Sequence, residues 1–432
     1  STEYPITHLF AQLDAHNCMA LMSGALWGQG LEPDERRQEA ATPDFAADTF
    51  TGDWNGLRTR AARSGYLLEG GIRVDSFRNR GARQDGTRTI THLDLKLGLN
   101  LEEIAGWRGT TALINVINDT GRGPQADLVG GLVGVSGIEA DAPPTTRLFN
   151  AWVQKRLWDD RLAVLFGLYP IDSEFFTMES ASVFIQPQYG TPADLALTHE
   201  PSIFNHSALG LRVRWAIDSA AYVMAAVLDG VPNDPHHPRR TRIHLSSDDG
   251  SFQIAELGWH PEPDNKDLAG HVKLALGFWG YSRREPDLES GKAKRPIGAY
   301  VLGERKLLSL NAESSRIVTG FARWTWSEGK TTPLRNSFNL GLRVQGPMAS
   351  RPQDVLGIAW TTANTASAWR AREVAVGLAE PDRRESTLEL TYRLALTKAL
   401  AIQPNFQFIR NPGAHAGIPN AHLLGFRFDL AL

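Results

Sequence analysis

Segment after segment of this chain alternates between an oily and a charged residue, and that period of two limits the folds open to it. In TITHLDLKLGLNL, Leu93, Leu95, Leu97 and Leu99 share one face while His92, Asp94, Lys96 and Asn100 share the other. ALGLRVRW sets Leu209, Leu211, Val213 and Trp215 against Gly210, Arg212 and Arg214. STLELTYRLAL sets Leu388, Leu390, Tyr392 and Leu394 against Glu389, Thr391 and Arg393, and HLLGFRFDLAL sets Leu424, Phe426, Phe428, Leu430 and Leu432 against Gly425, Arg427 and Asp429. Successive residues of a strand point to opposite faces, so each segment has one apolar and one polar side. Soluble two-sheet proteins alternate in the same way, and the period alone leaves a sandwich open beside a barrel.

The number of segments and the lengths between them separate those folds. Candidate strands fall near 66–77, 90–101, 109–118, 146–157, 161–169, 207–216, 220–229 and 251–260. More fall near 271–281, 298–306, 316–327, 335–346, 354–362, 385–397, 399–410 and 420–432. That is about sixteen, an even number at the length a tilted membrane strand needs. Short connections (WDDR, AIDSA, TKA) alternate with long ones across 119–145, 170–206, 230–250, 282–297 and 363–384. Outer-membrane barrels have short turns at one end and long loops at the other, whereas a sandwich or propeller has no reason for that asymmetry. The expectation is an all-β, transmembrane, antiparallel up-and-down β-barrel over 66–432. Trp107, Trp158, Trp215, Trp259, Trp324, Trp326, Tyr66 and Tyr392 fall near strand ends, where interfacial girdles place aromatic rings. No apolar run reaches the roughly 18 residues of a spanning helix.

Lys+Arg total 45 against Asp+Glu 48, a net charge of −3, so there is no basic field to hold nucleic acid. The single Cys18 excludes an internal disulfide framework, and the His236-His237 pair is adjacent rather than at ligand spacing, so neither metal nor cofactor is expected. The sequence contains no G-x-S-x-G, H-E-x-x-H or phosphate loop, and no enzyme is expected.

A barrel of this size encloses water rather than a packed core, which puts function on the inward face. The basic inward set is Arg73, Lys96, Arg212, Arg214, Lys273, Arg323, Arg343, Arg393 and Arg427; the acidic set is Glu69, Asp75, Asp94, Glu256, Glu389 and Asp429. Mixed charges interspersed with Trp152, Trp279, Asn150, Gln154, Gln403, Asn405 and Gln407 suit a neutral, hydroxyl-rich solute. Charged groups hydrogen-bond hydroxyls strongly, and flat rings stack on the apolar face of a pyranose. The modest basic excess leaves small organic acids as an alternative, and a general diffusion pore as another. Residues 170–206 carry Phe175, Phe176, Val183, Phe184 and Ile185, more apolar surface than a solvated loop needs. Folding into the lumen would bury them and turn Asp172, Glu174 and Glu179 to the basic wall.

Residues 1–50 read as an extension or linker of unassigned role, containing the apolar stretch from Cys18 to Trp27. A scaffold recruiting a partner through this segment is a further, less favoured reading. Residues 51–65 read as a short periplasmic helix stopped at Gly65. The chain opens at Ser1 without a methionine, and removal of a signal peptide on export is expected.

Several stretches resemble the carbohydrate-selective porins of the OprB family: Thr51-Gly-Asp-Trp-Asn-Gly-Leu-Arg-Thr-Arg60, THLDLKLGLNLEEIAGWRGTTALIN, and RLFNAWVQKRLWDDRLAVLFGLYPIDSEF. ALGLRVRW, VLDG, GAYVLGERKLL and the close from STLELTYRLALTKALAIQPNFQFIRNPG to NAHLLGFRFDLAL are also similar, in order, from about Thr51 to Leu432. The resemblance implies a sixteen-stranded bacterial outer-membrane barrel, usually a homotrimer in lipid and lipopolysaccharide, passing glucose and other small carbohydrates by diffusion. The constriction of such a pore is lined by charged and aromatic residues. In this chain the inward face and the loop 170–206 supply the candidate pore lining: Glu69, Arg73, Asp75, Asp94, Lys96, Trp152, Asp172, Glu174, Arg212, Arg214, Glu256, Lys273, Arg323 and Arg343. Members of the family usually end on an aromatic residue, and this chain ends on Leu432 with Phe426 and Phe428 keeping the alternation.

Overall fold

Alternation becomes geometry in sixteen antiparallel strands. In the computed structural model, which describes residues 43–141, 143–198, 201–261, 271–415 and 417–432, the first eight strands are β1 (Tyr66–Gly81), β2 (Gly86–Asn100), β3 (Thr110–Gly121), β4 (Thr145–Leu157), β5 (Leu162–Tyr169), β6 (Ala208–Ala216), β7 (Ala221–Asp229) and β8 (Ser251–Trp259). They are followed by β9 (Val272–Tyr281), β10 (Ile297–Ser309), β11 (Ile317–Ser327), β12 (Leu334–Gln345), β13 (Val355–Thr365), β14 (Arg384–Ala395), β15 (Leu400–Arg410) and β16 (Ala421–Ala431). Each pairs with its sequence neighbours, and β1 closes on β16 from Gly71↔Ala431 to Gly81↔Ala421. Closure leaves no unpaired edge, the condition for strands to sit in hydrocarbon.

The apolar face lies outside. Leu95, Leu211, Leu340, Leu390 and Phe426 are exposed, while Asp94, Arg212, Asn339, Glu389 and Arg427, one residue along, are buried. Water would not tolerate such a continuous oily belt; a bilayer does. Tyr66, Trp107, Trp158, Trp215 and Trp259 are exposed, and Trp158 meets Trp215 edge to face at 5.5 Å. Trp326 instead lies under the Arg335 guanidinium, and Tyr392 turns its hydroxyl to Asp354 at 2.7 Å.

Connections differ by end. Turns 158–161, 217–220 and 396–399 mark one end, and the long loops 122–144 (L2), 170–207 (L3), 230–250, 282–296 and 366–383 mark the other. The alternation is not complete, because 82–85 and 328–333 are short connections at the long-loop end.

The short-turn end carries the segment before β1. Its helix Leu57–Arg63 stops at Ser64 and Gly65, where a φ of +94° suits glycine. Phe50 N donates to Ala431 O at 2.8 Å and Asn100 N to Gly65 O at 2.8 Å, tying the segment to the ends of β16 and β2. Arg58 stacks over the Phe45 ring at 4.2 Å and donates to Leu68 O at 2.8 Å, and Phe45 is buried with Leu67 inside the mouth. The apolar stretch from Cys18 to Trp27, and residues 1–42 generally, lie outside the described residues.

Candidate functional site: a lumen narrowed by two loops

L3 has the composition of a core element, and it becomes one. Phe175, Phe176, Met178, Phe184, Tyr189 and Leu195 are buried against inward-facing Met224, Leu228, Phe252, Ile254, Trp279, Tyr300, Leu302 and Phe321. Each such side chain contributes about 1.5–3 kcal/mol on burial. The water-filled interior expected from barrel size is therefore restricted, since the wall from β7 to β11 is packed solid. Gly357 on β13 allows a close approach; a Cβ there would meet the Phe184 ring at 2.9 Å.

Polar wall residues hold L3 more than half-way round the barrel, from β6 to β15. Glu174 takes a bidentate pair from Arg212 on β6, with Nε–Oε2 and Nη2–Oε1 both 2.7 Å. Glu256 on β8 accepts from Phe176 N at 2.9 Å and from the hydroxyls of Tyr222 and Tyr300 at 2.7 and 2.5 Å. Lys273 on β9 donates to Thr177 O at 2.7 Å, and Glu304 on β10 accepts from Glu179 N and Ser180 N at 2.9 and 2.7 Å. Glu389 on β14 accepts from Ile185 N at 2.7 Å, and Gln403 on β15 donates to Val183 O at 2.6 Å. Arg323 on β11 donates to the carbonyls of Phe176, Gln188 and Gly190. A loop carries unpaired amides and carbonyls into the interior, and each needs such a partner.

L2 folds inward as well, which its sequence was not expected to do. Glu385 on β14 accepts from Leu132 N, Val133 N and Gly413 N at 2.8, 3.2 and 2.6 Å. Ser136 donates to Asp75 at 2.5 Å, and Gly137 N reaches Ile185 O of L3 at 2.8 Å. Between the two loops and the β1–β16 wall lies a cavity of about 660 Å³. Arg73, Arg427, Ser136, Asp172, Ser182, Phe184, Gln186 and Gln188 are among the residues lining it.

The sequence-predicted residues divide into three groups. Arg73 and Arg427 face the cavity; Arg73 Nε meets Asp429 at 2.5 Å, and Arg427 grips Asp75 through Nε and Nη2 at 2.7 and 2.6 Å. Glu174, Arg212, Glu256, Lys273 and Arg323 anchor L3. Glu69, Asp94, Lys96, Arg214 and Arg343 lie apart from the cavity. Lys96 pairs with Asp94 at 3.2 Å, Glu69 is in electrostatic range of both, Arg214 stacks over Tyr222 at 4.5 Å, and Arg343 Nη2 donates to Gln345 at 3.0 Å. Trp152 is buried in the apolar cluster with Leu113 and Leu165. Asp172 was expected to face the basic wall. It is instead turned back into L3, accepting from Phe204 N at 3.1 Å and Thr191 Oγ1 at 3.3 Å, which occupy its carboxylate within the loop.

Burial raises several loop carboxyls, three of them by a wide margin. Burial pushes Asp172 and Asp194 up to about 6, against hydrogen bonds that hold them down, and burial pushes Glu139 up to about 7.

Sequence reasoning missed Glu304, Glu385 and the whole of L2. Glu304 shares a face with Tyr300 and Leu302, so that strand reads as apolar on both sides. L2 did carry a signal: Leu128, Val129, Leu132, Val133, Val135 and Ile138 are the same surplus of apolar side chains that marked L3.

Residues 84–432 match the profile of the family described as carbohydrate-selective porin, OprB family. Porin B of Pseudomonas aeruginosa is 24% identical over 94% of this chain and 95% of its own length. The putative porin QuiX of Acinetobacter baylyi is 21% identical over 88% of this chain and 92% of its own. Among solved structures, Pseudomonas putida OprB at high pH superposes with a TM-score of 0.80 at 20% identity, covering 90% of this chain and all of that one. The low-pH structure of the same protein gives 0.59 at 18% identity, over 89% of this chain and 99% of that one.

Proposed function

The chain belongs to the carbohydrate-selective porin, OprB family and is an outer-membrane channel for the diffusion of sugars rather than an enzyme; we propose that the cavity between L2, L3 and the β1–β16 wall is where it handles the sugar. One observation carries this reading. The side-chain amides of Gln186 and Gln188 are buried at the cavity, and neither their nitrogens nor their oxygens find a partner among the described residues. A buried amide left unpaired costs about 1–3 kcal/mol, which a hydroxyl-bearing solute would recover when these side chains turn to meet it. Beside them the Phe184 ring offers a flat apolar surface and Arg73 and Arg427 offer N–H donors, the mixture that pyranose recognition uses. The volume is in the range of small-molecule pockets.

Glu69, Asp94, Lys96, Arg214 and Arg343 belong to the water-filled path below the cavity in this reading, and the residues that anchor L3 set its width. Release must stay fast, so the site is expected to hold sugar no more tightly than millimolar. Assembly as a homotrimer in lipid and lipopolysaccharide, after export with loss of a signal peptide, completes the reading; light scattering of the detergent-solubilised protein tests the subunit number. Liposome swelling across mono- and disaccharides tests the site. Gln186→Ala/Gln188→Ala should blunt discrimination among sugars of equal size while the channel stays open. Unchanged discrimination would move the site elsewhere.

A further inference from the structure

At the long-loop end, the outward face carries a row of arginines that the channel does not use. Arg384 opens β14, Arg410 closes β15, and Arg78 and Arg80 stand near the end of β1. All four are exposed, beside buried inward neighbours such as Glu385, Ile409 and Asn79. Strand pairing brings them together. Arg410 lies opposite Ser386, two residues along from Arg384, and Arg80 lies opposite the exposed His422 of β16. Strands of a barrel tilt and stagger, so residues at neighbouring strand ends share one height. Below the row, Leu388, Phe406 and Leu424 of β14, β15 and β16 are exposed and oily.

Nothing on the protein neutralises them. None of the four guanidinium groups has an ion pair or a side-chain hydrogen bond among the described residues. The loop acids beside them along the chain, Asp85 and Asp382, pair with none of the four; Asp85 instead accepts from Gly81 N at 2.8 Å. Elsewhere round the same rim the corresponding outward residues are uncharged, as with Thr87 on β2, Thr146 on β4 and Ile297 on β10. Among the described residues of the sixteen strands the outward face holds one acid, Asp229 on β7, on the far side of the barrel. A second copy of this chain therefore has little to offer the row. A phosphate does, because its oxygens match the fork of a guanidinium. Cations above an oily belt, at the end where outer-membrane barrels carry their long loops, stand at the headgroups of the outer leaflet.

We propose that this row docks one molecule of the outer leaflet's phosphorylated glycolipid, a disaccharide with a phosphate at each end. Arg384 and Arg410 hold one phosphate, Arg78 and Arg80 hold the other, and the acyl chains lie on Leu388, Phe406 and Leu424. Between the two arginine pairs runs β16 with His422, so β15 and β1 are two strand spacings apart, about 10 Å. That separation suits a headgroup with two anionic ends better than a single phosphate. The site rests on the barrel's place in the outer membrane and is independent of the sugar cavity.

Native mass spectrometry of the full chain in detergent, titrated with diphosphorylated lipid A, tests it. One lipid A should be retained per chain. Its affinity should fall about fivefold in Arg410→Gln and roughly twentyfold in Arg80→Gln/Arg410→Gln, at one surface charge per arginine. Arg80→Lys/Arg410→Lys keeps the charge without the fork and should fall between the wild type and the double glutamine variant. Arg63→Gln, an exposed charge at the short-turn end, should bind as the wild type does. Dephosphorylated lipid A and phosphatidylglycerol should both bind more weakly than the diphosphorylated form. Single-channel conductance of the variants should match the wild type, which reports an intact barrel. Undiminished binding in the double glutamine variant, an equal loss in Arg63→Gln, or phosphatidylglycerol held as tightly as lipid A overturns the site. A changed subunit number by light scattering with lipid A affinity unchanged also overturns it and gives the row to a second copy of the chain.

Discussion

At the scale of single residues, many inward charges hold loops in place rather than line a path. Arg212 is the clearest case, buried, bidentate to Glu174 and also donating to Gln154 at 2.7 Å. Arg212→Ala would leave a buried carboxylate without its cation, at a cost of about 3–5 kcal/mol to the seating of L3. Single-channel recording should then find a larger and noisier conductance; an unchanged trace would mean that L3 is held without this pair. The loop carboxyls add a pH dependence of definite sign. Asp172, Asp194 and Glu139 are all raised in the folded protein, so their contribution to loop packing is complete below their ordinary range. It is lost as pH rises through about 6 for the two aspartates and about 7 for Glu139. Between pH 4.5 and 8 at fixed salt, conductance and relative cation permeability should both increase. A conductance that falls over that interval contradicts the assignment.

At the scale of elements, the two faces of a strand answer to different solvents. Leu390 on β14 faces out and Glu389 faces in, receiving Ile185 N at 2.7 Å and Asn405 at 2.6 Å. Leu390→Arg should lower stability by about 2–4 kcal/mol if the position lies near the bilayer midplane, whereas Leu390→Phe should be close to neutral. Refolding into lipid vesicles under urea reads the difference, and equal midpoints would place this face away from lipid. Sixteen strands were legible in the sequence because each keeps one face for lipid, and a period of two survives every change of individual residue. Loop lengths were legible for the same reason, as gaps in the period. What an inward residue touches was not: Arg212, Glu256, Lys273 and Arg323 appear as pore lining in the sequence, and only the path of L3 turns them into anchors. L2 was missed because its glycines and polar residues resemble a solvated loop, although its buried leucines and valines had the same meaning as the phenylalanines of L3.

At the scale of the whole molecule, a closed sheet turns oily residues outward and two loops turn inward, dividing the interior into a packed side and an open one. The packed side is built from L3 and the wall from β7 to β11, and the open side holds the cavity at Arg73 and Arg427. The segment around Phe45 and Arg58 closes over part of the short-turn mouth. In the proposed reading a sugar crossing this interior passes between Gln186, Gln188 and the arginine wall, and while it is there it displaces the ions that carry current. Planar-bilayer conductance of single channels, with glucose titrated from zero into the millimolar range, measures that directly. The account requires conductance to fall in a saturable way as glucose rises; a large conductance that glucose leaves untouched would contradict it.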